Sequence, residues 1–108
     1  MTGADINQAM GKRVLQASIR VSEFPRVRFF QRGKAKNGAD CFVDVTHNVA
    51  KLVLEEAEGD AYDLLRLNSE GKLVWRTHHQ SMQEAKWHVE FEYGLPEEKW
   101  SRFEEESD

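Results

Sequence analysis

Apolar residues recur at every second position in stretch after stretch of this chain, and at helical spacing in one stretch near its end. Alternation at period two belongs to a strand buried on one side, whereas recurrence at three and four marks one face of a helix. Leu15, Ala17, Ile19 and Val21 fall on one side of a first run, with Gln16, Ser18 and Arg20 on the other. After the interruption at Phe24-Pro25, a second run sets Val27 and Phe29 against Arg26, Arg28, Phe30 and Arg32. A third sets Cys41, Val43 and Val45 against Asp40, Phe42 and Asp44. Successive strands with one late helix constrain the chain to an α+β fold: an antiparallel sheet of four or five strands, with a C-terminal helix packed across one face.

Turn chemistry sets the expected pairings. Asn68-Ser69-Glu70-Gly71 reads as a type I turn closed by a left-handed glycine, the three-residue hairpin loop with a bulge. That geometry places Leu67 opposite Leu73 and Leu65 opposite Trp75 on a core face. Leu64 opposite Arg76, Arg66 opposite Val74 and Tyr62 opposite His78 then form a mixed face. The stretch from Gly33 to Gly38 reads as loop. If Phe30 faces Phe42 across it, Arg32 faces Asp40, Arg28 faces Asp44 and Phe29 faces Val43, and both faces are chemically consistent.

Ser81-Met82-Gln83-Glu84 is a capping box. The spacing of Met82, Ala85, Val89 and Tyr93 predicts a helix over 82–93, with Trp87 and Phe91 widening its apolar stripe and Gly94 and Pro96 ending it. Trp100 and Phe103 would dock in one further turn. Residues 46–59 carry two patterns. Asn48 as a cap, with Val49, Leu52, Val53 and Ala57 on one side and Gly59 as the stop, predicts a short helix, while Ala50, Leu52 and Leu54 alternate as a strand would. The helix is the preferred expectation.

With 108 residues, of which 40% are hydrophobic and 10% aromatic, the apolar side chains suffice for one core. Residues 13–103 are expected to form it. A flexible segment (1–12), in which Thr2 and Asp5 would cap a short turn carrying Ile6 and Met10, precedes it, and an acidic tail (104–108) follows. No apolar run exceeds three residues, far below the roughly 20 that a spanning helix needs. The opening MTGADINQAM lacks a secretory pattern, and a lone cysteine, Cys41, allows no internal disulfide. A cytoplasmic location, without a membrane partner, is the expectation.

Charge is unevenly distributed. Residues 1–38 hold eight basic and two acidic residues, the remaining 70 hold seven basic and seventeen acidic, and the net charge is −4. Arg26, Arg28, Phe30 and Arg32 interleave cations with an aromatic, as surfaces for single-stranded nucleic acid do. The expected pairing with Asp40 and Asp44 and the acidic balance weigh against that use.

The residue types that carry chemistry are sparse. His79, with His78 beside it, precedes a helix on which Glu84, His88 and Glu92 recur every four residues; His79, Glu84, His88 and Glu92 are the candidate ligands for a divalent metal. Cys41 alternates with valines, as a small apolar filler would. No nucleophile elbow, phosphate-binding glycine loop or dinucleotide fingerprint occurs, so neither an enzyme nor a cofactor is expected.

The stretch LLRLNSEGKLVWRTHHQSMQEAKWHVEFEYGLPEEKW, residues 64 to 100, resembles the C-terminal part of a group of small bacterial proteins of unassigned function. In these a hairpin ending in a Thr and His segment leads into S-x-x-E-A, then E-F-E-[FY]-G and a trailing Trp. The resemblance covers about a third of the chain and implies an α+β fold in a bacterium, with no activity, cofactor or catalytic residue attached. The expected function is association, as a homodimer or with a bacterial partner protein, through a surface containing Tyr62, Leu64, Val74 and Arg76. A toxin-neutralising immunity protein is the alternative, motivated by small size and acidity.

Overall fold

A computed structural model describes residues 11–103. The expected turn at Thr2 and Asp5 and the acidic tail lie outside them. The fold is α+β. Among the described residues seven strands run in the order β1 (Arg13–Ser18), β2 (Phe30–Lys34), β3 (Asp40–Asp44), β4 (Lys51–Glu56), β5 (Tyr62–Leu67), β6 (Leu73–His79) and β7 (Ser101–Arg102), with the helix α1 (Met82–Tyr93) between β6 and β7. Five of them form an antiparallel sheet in the order β6-β5-β4-β1-β7, and β2 and β3 form a separate hairpin.

The expected helix within 46–59 is absent. A 3-10 turn at Thr46–Asn48 leads into β4. This strand is central, pairing with β1 on one side and β5 on the other. Leu52, Val53, Leu54 and Glu55 are all buried. A strand buried on both faces reads as an unbroken apolar run, which periodicity cannot distinguish from a short helix. Leu52 and Leu54 join Leu64, Val74, Phe29, Val45 and Val49 in the main core beneath Ala85 and Val89 of α1. On the opposite face Val53, Leu65 and Leu67 form a smaller cluster with Phe103.

The β5–β6 hairpin departs from the expected register after its first pair. Asn68 N–H donates to the Lys72 carbonyl at 2.8 Å, and the Asn68 Oδ1 accepts from Glu70 and Lys72 N–H, fixing Leu67 opposite Leu73. Then Val74 is passed over, and Arg66 faces Trp75, Leu65 faces Arg76, Leu64 faces Thr77 and Tyr62 faces His79. A bulge of this kind lets two consecutive residues, Val74 and Trp75, both contribute to one core, at the cost of a one-residue shift for the rest of the strand. Leu64 and Val74 are therefore core residues and Tyr62 packs against them, whereas Arg76 lies on the other face. There it bonds Asp63 at 2.7 Å and the buried Glu55 at 3.2 Å. The expected interaction surface of Tyr62, Leu64, Val74 and Arg76 does not exist as one surface.

The β2–β3 hairpin is antiparallel, but shifted by two residues from expectation. Phe30 faces Asp44, Arg32 faces Phe42 and Lys34 faces Asp40. The cause is the position of the turn: Ala35 N–H donates to Ala39 O at 2.8 Å, closing a loop of Lys36, Asn37 and Gly38 centred on Asn37, where the expected register centres on Lys36, and Gly38 has φ 86°. A shift by two keeps each side chain on its face and changes only its neighbour. Lys34 takes the place expected of Arg32 and meets Asp40 at 2.6 Å, and Arg28 reaches Asp44 at 2.8 Å as expected.

Helix α1 has the expected bounds. Ser81 Oγ accepts from Glu84 N–H at 3.1 Å, Glu84 Oε1 accepts from Gln80 N–H at 2.8 Å, and Gly94 closes the helix at φ 67°. Beyond it a 3-10 turn at Glu97–Lys99 leads to β7, which adds to the free edge of β1.

Candidate functional site

Two features stand out where α1 meets the sheet: a buried polar chain beneath the helix and an aromatic surface on its outer side. The polar chain starts at Arg66, a charged residue that alternation along β5 places on the Leu64 side, facing the core, where it is only 1% exposed. A buried guanidinium needs a compensating anion. Glu92 supplies it from α1, accepting from Arg66 Nη2 at 2.9 and 3.1 Å. The Phe29 ring lies 4.8 Å from the guanidinium carbon. Arg66 Nη1 donates to Thr77 Oγ1 at 3.0 Å, and Thr77 Oγ1 lies 2.8 Å from His79 Nε2. A hydroxyl that accepts from a guanidinium is free to donate its own proton, and His79 Nε2 is the acceptor in reach.

His79 is 5% exposed, its ring centroid is 4.7 Å from that of His88, and its Nδ1 is 3.8 Å from Glu84 Oε1. The structure thus brings His79, Glu84 and His88 together, while Glu92 is committed to Arg66. Among the described residues no group of three or more His, Cys, Asp or Glu side chains is arranged to hold a metal ion. Burial lowers the pKa of His79 below its ordinary 6.5, reinforced by the positive charges of His88 and Arg66 and opposed by Glu84. The unfolded chain therefore binds a proton that the folded chain resists, so stability falls as pH drops from 6.5 toward the folded pKa. The expected result is a lower urea midpoint at about pH 5.5 than at about pH 7.5, with a smaller drop in His79→Gln, whose side chain cannot take the proton. Equal drops in both proteins would contradict this role for His79.

The outer side of α1 is apolar where a helix normally meets water. Ala85 and Val89 are buried, yet Trp87 is 63% exposed and Phe91 is 56% exposed. These aromatics do not widen the core stripe as expected. The signal was in the helix geometry: at about 100° per residue, Trp87 stands roughly 160° from both Ala85 and Val89, and Phe91 lies only about 40° from Trp87. Trp87 and Phe91 line a groove with Glu84 and His88. On the far side of Phe91 a second groove is lined by Phe24, Pro25 and Arg26 with Glu92 and Gly94. Phe24 is 80% exposed. The Arg26 guanidinium carbon lies 5.4 Å from the Phe91 ring centroid, and Arg26 Nη1 donates to the Phe91 carbonyl at 3.5 Å.

The four residues considered for nucleic acid are consequently divided. Arg26 belongs to the α1 surface, while Arg28, Phe30 and Arg32 sit at the β2–β3 hairpin. Thr46, through its hydroxyl and its backbone N–H, and then Arg28 hold the Asp44 carboxyl below the usual carboxylate range. Asp44 is thus a persistent anion beside Arg28. Arg32 faces the exposed Phe42 rather than a carboxylate. Comparison of the chain with family models, curated proteins and solved structures gives no match.

Proposed function

We propose that this protein acts by association with another protein, and that the outer side of α1 is the contact surface. The observation that supports this reading is the pair of large aromatic side chains, Trp87 and Phe91, each more than half exposed and one turn apart, continued by Phe24. Fully removing such a side chain from water contributes about 1.5 to 3 kcal/mol, and Trp is among the residues that most often dominate binding energy at interfaces. The rim is polar: Glu84, His88 and Arg26 border the aromatic strip. Two carboxylates at the hairpin already answer Arg28 and Lys34, which favours a protein over a polyanion as partner.

A photo-crosslinking residue placed at Trp87 tests the reading in the cells that make the protein, with one at Ser69, in the exposed β5–β6 turn, as the control. Discrete covalent adducts at position 87 and none at position 69 are expected. Equal labelling at both positions, or none at 87, would remove the aromatic surface from consideration.

A further inference from the structure

We infer that the partner seated on α1 is a second copy of this chain, its helix running antiparallel to the first. The inference rests on the association reading above and adds the identity of the partner. Its basis is the placement of charge along the aromatic strip. Arg26 stands at the C-terminal end of the strip, against Phe91 and beside Gly94. Glu84 stands at the N-terminal end, in the same groove as Trp87, with its side chain 41% exposed. Its Oε1 is engaged by Gln80 N–H.

A two-fold axis brings residue i of one copy against j of the other and j against i. With that axis at the level of Val89, midway along the strip, Trp87 of each copy meets Phe91 of the other. Positions 84 and 94 are equidistant from 89, so the Arg26 that borders Gly94 meets Glu84 of the second copy, and the contact occurs twice. Antiparallel pairing therefore joins unlike charges at both ends, whereas parallel pairing would set Arg26 against Arg26 and Glu84 against Glu84. The strip carries its own complement, which a surface shaped for an unrelated partner has no need to do. Lys86, on the other flank, is occupied by Glu97 at 3.3 Å and adds no opposing charge.

Sedimentation velocity on the whole chain over a concentration series gives the test. A monomer–dimer equilibrium is expected. Arg26→Glu and Glu84→Lys each weaken it at least about tenfold, because each replaces two attractive contacts by two repulsive ones. An equimolar mixture of the two variants restores it, since the mixed dimer again has opposite charges at both ends. Glu84→Gln retains a capping acceptor and weakens the dimer by a smaller factor, which separates lost charge from a frayed helix. A strictly monomeric wild type, or a mixture that associates no better than its components, overturns self-pairing. If crosslinking at position 87 then gives an adduct with a mass other than two chains, association stands and only the second copy is rejected; if it gives none, both fall.

Discussion

Arg66→Met lowers the unfolding free energy by about 3 to 5 kcal/mol, because it removes the cation bonded to the Glu92 carboxylate buried under the helix. Arg66 and Glu92 have side chains 1% and 8% exposed, and together they join β5 to α1. The expectation is sharper for the double variant. Arg66→Met with Glu92→Leu removes both charges and refills the volume, so it recovers most of the loss and matches or exceeds the wild type if desolvation outweighs the mutual attraction. A urea titration reads both results, and the interaction energy follows from the cycle. A single variant within about 1 kcal/mol of wild type would mean that Glu92 finds water when Arg66 is gone, and that α1 is held by its apolar side alone.

Leu64→Ala is the second large effect, a loss of about 2 to 5 kcal/mol, against less than about 1 kcal/mol for Leu73→Ala. Leu64 is 0% exposed, whereas Leu73 is 50% exposed. The contrast reports which side of the β5–β6 hairpin faces the main core. A larger loss for Leu73 than for Leu64 would mean that the side carrying Leu65 and Leu67, and not the Leu64 side, faces the main core. Chemical denaturation of the two variants side by side decides it.

Much of the architecture could be read from local chemistry. The period change at Met82, the Ser81 cap and the Gly94 stop define α1 to the residue, and the Asn68 to Gly71 turn places its hairpin. The failures share a cause: they occur where tertiary structure chooses between local options of similar cost. In β4 the run Leu52-Val53-Leu54 is unbroken because clusters enclose it from both faces, and its polar residues Lys51 and Glu55 flank Val53 on the side away from the main core. The bulge at Val74 has no marker in the residues around it; it is explained by the packing of Val74 and Trp75 and by the Gln31 side chain, which donates to the Val74 carbonyl at 2.6 Å. The β2–β3 register was legible in principle, since Asn37-Gly38 is a turn signal of the same type as Glu70-Gly71, but charge matching pointed to a neighbouring register. For the proposed contact surface, the residue types are legible in the sequence, and their angle around the helix decides which side they take. Trp87 and Phe91 look like core in a count of apolar residues and like an interface on a helical wheel.

The sheet order also bears on how the polypeptide acquires its shape during synthesis. β1 is made first among the described strands, yet it pairs with β4 and with β7, where Leu15 lies opposite Arg102. On the ribosome its hydrogen-bonding groups must wait through most of translation for both neighbours, whereas β5 and β6 close on each other within a dozen residues. The order expected from loop-closure entropy is thus hairpins first, β1 next and β7 last. Until β7 arrives, one side of β1 remains an open template for strand addition, the stage at which the nascent protein is most exposed to mispairing.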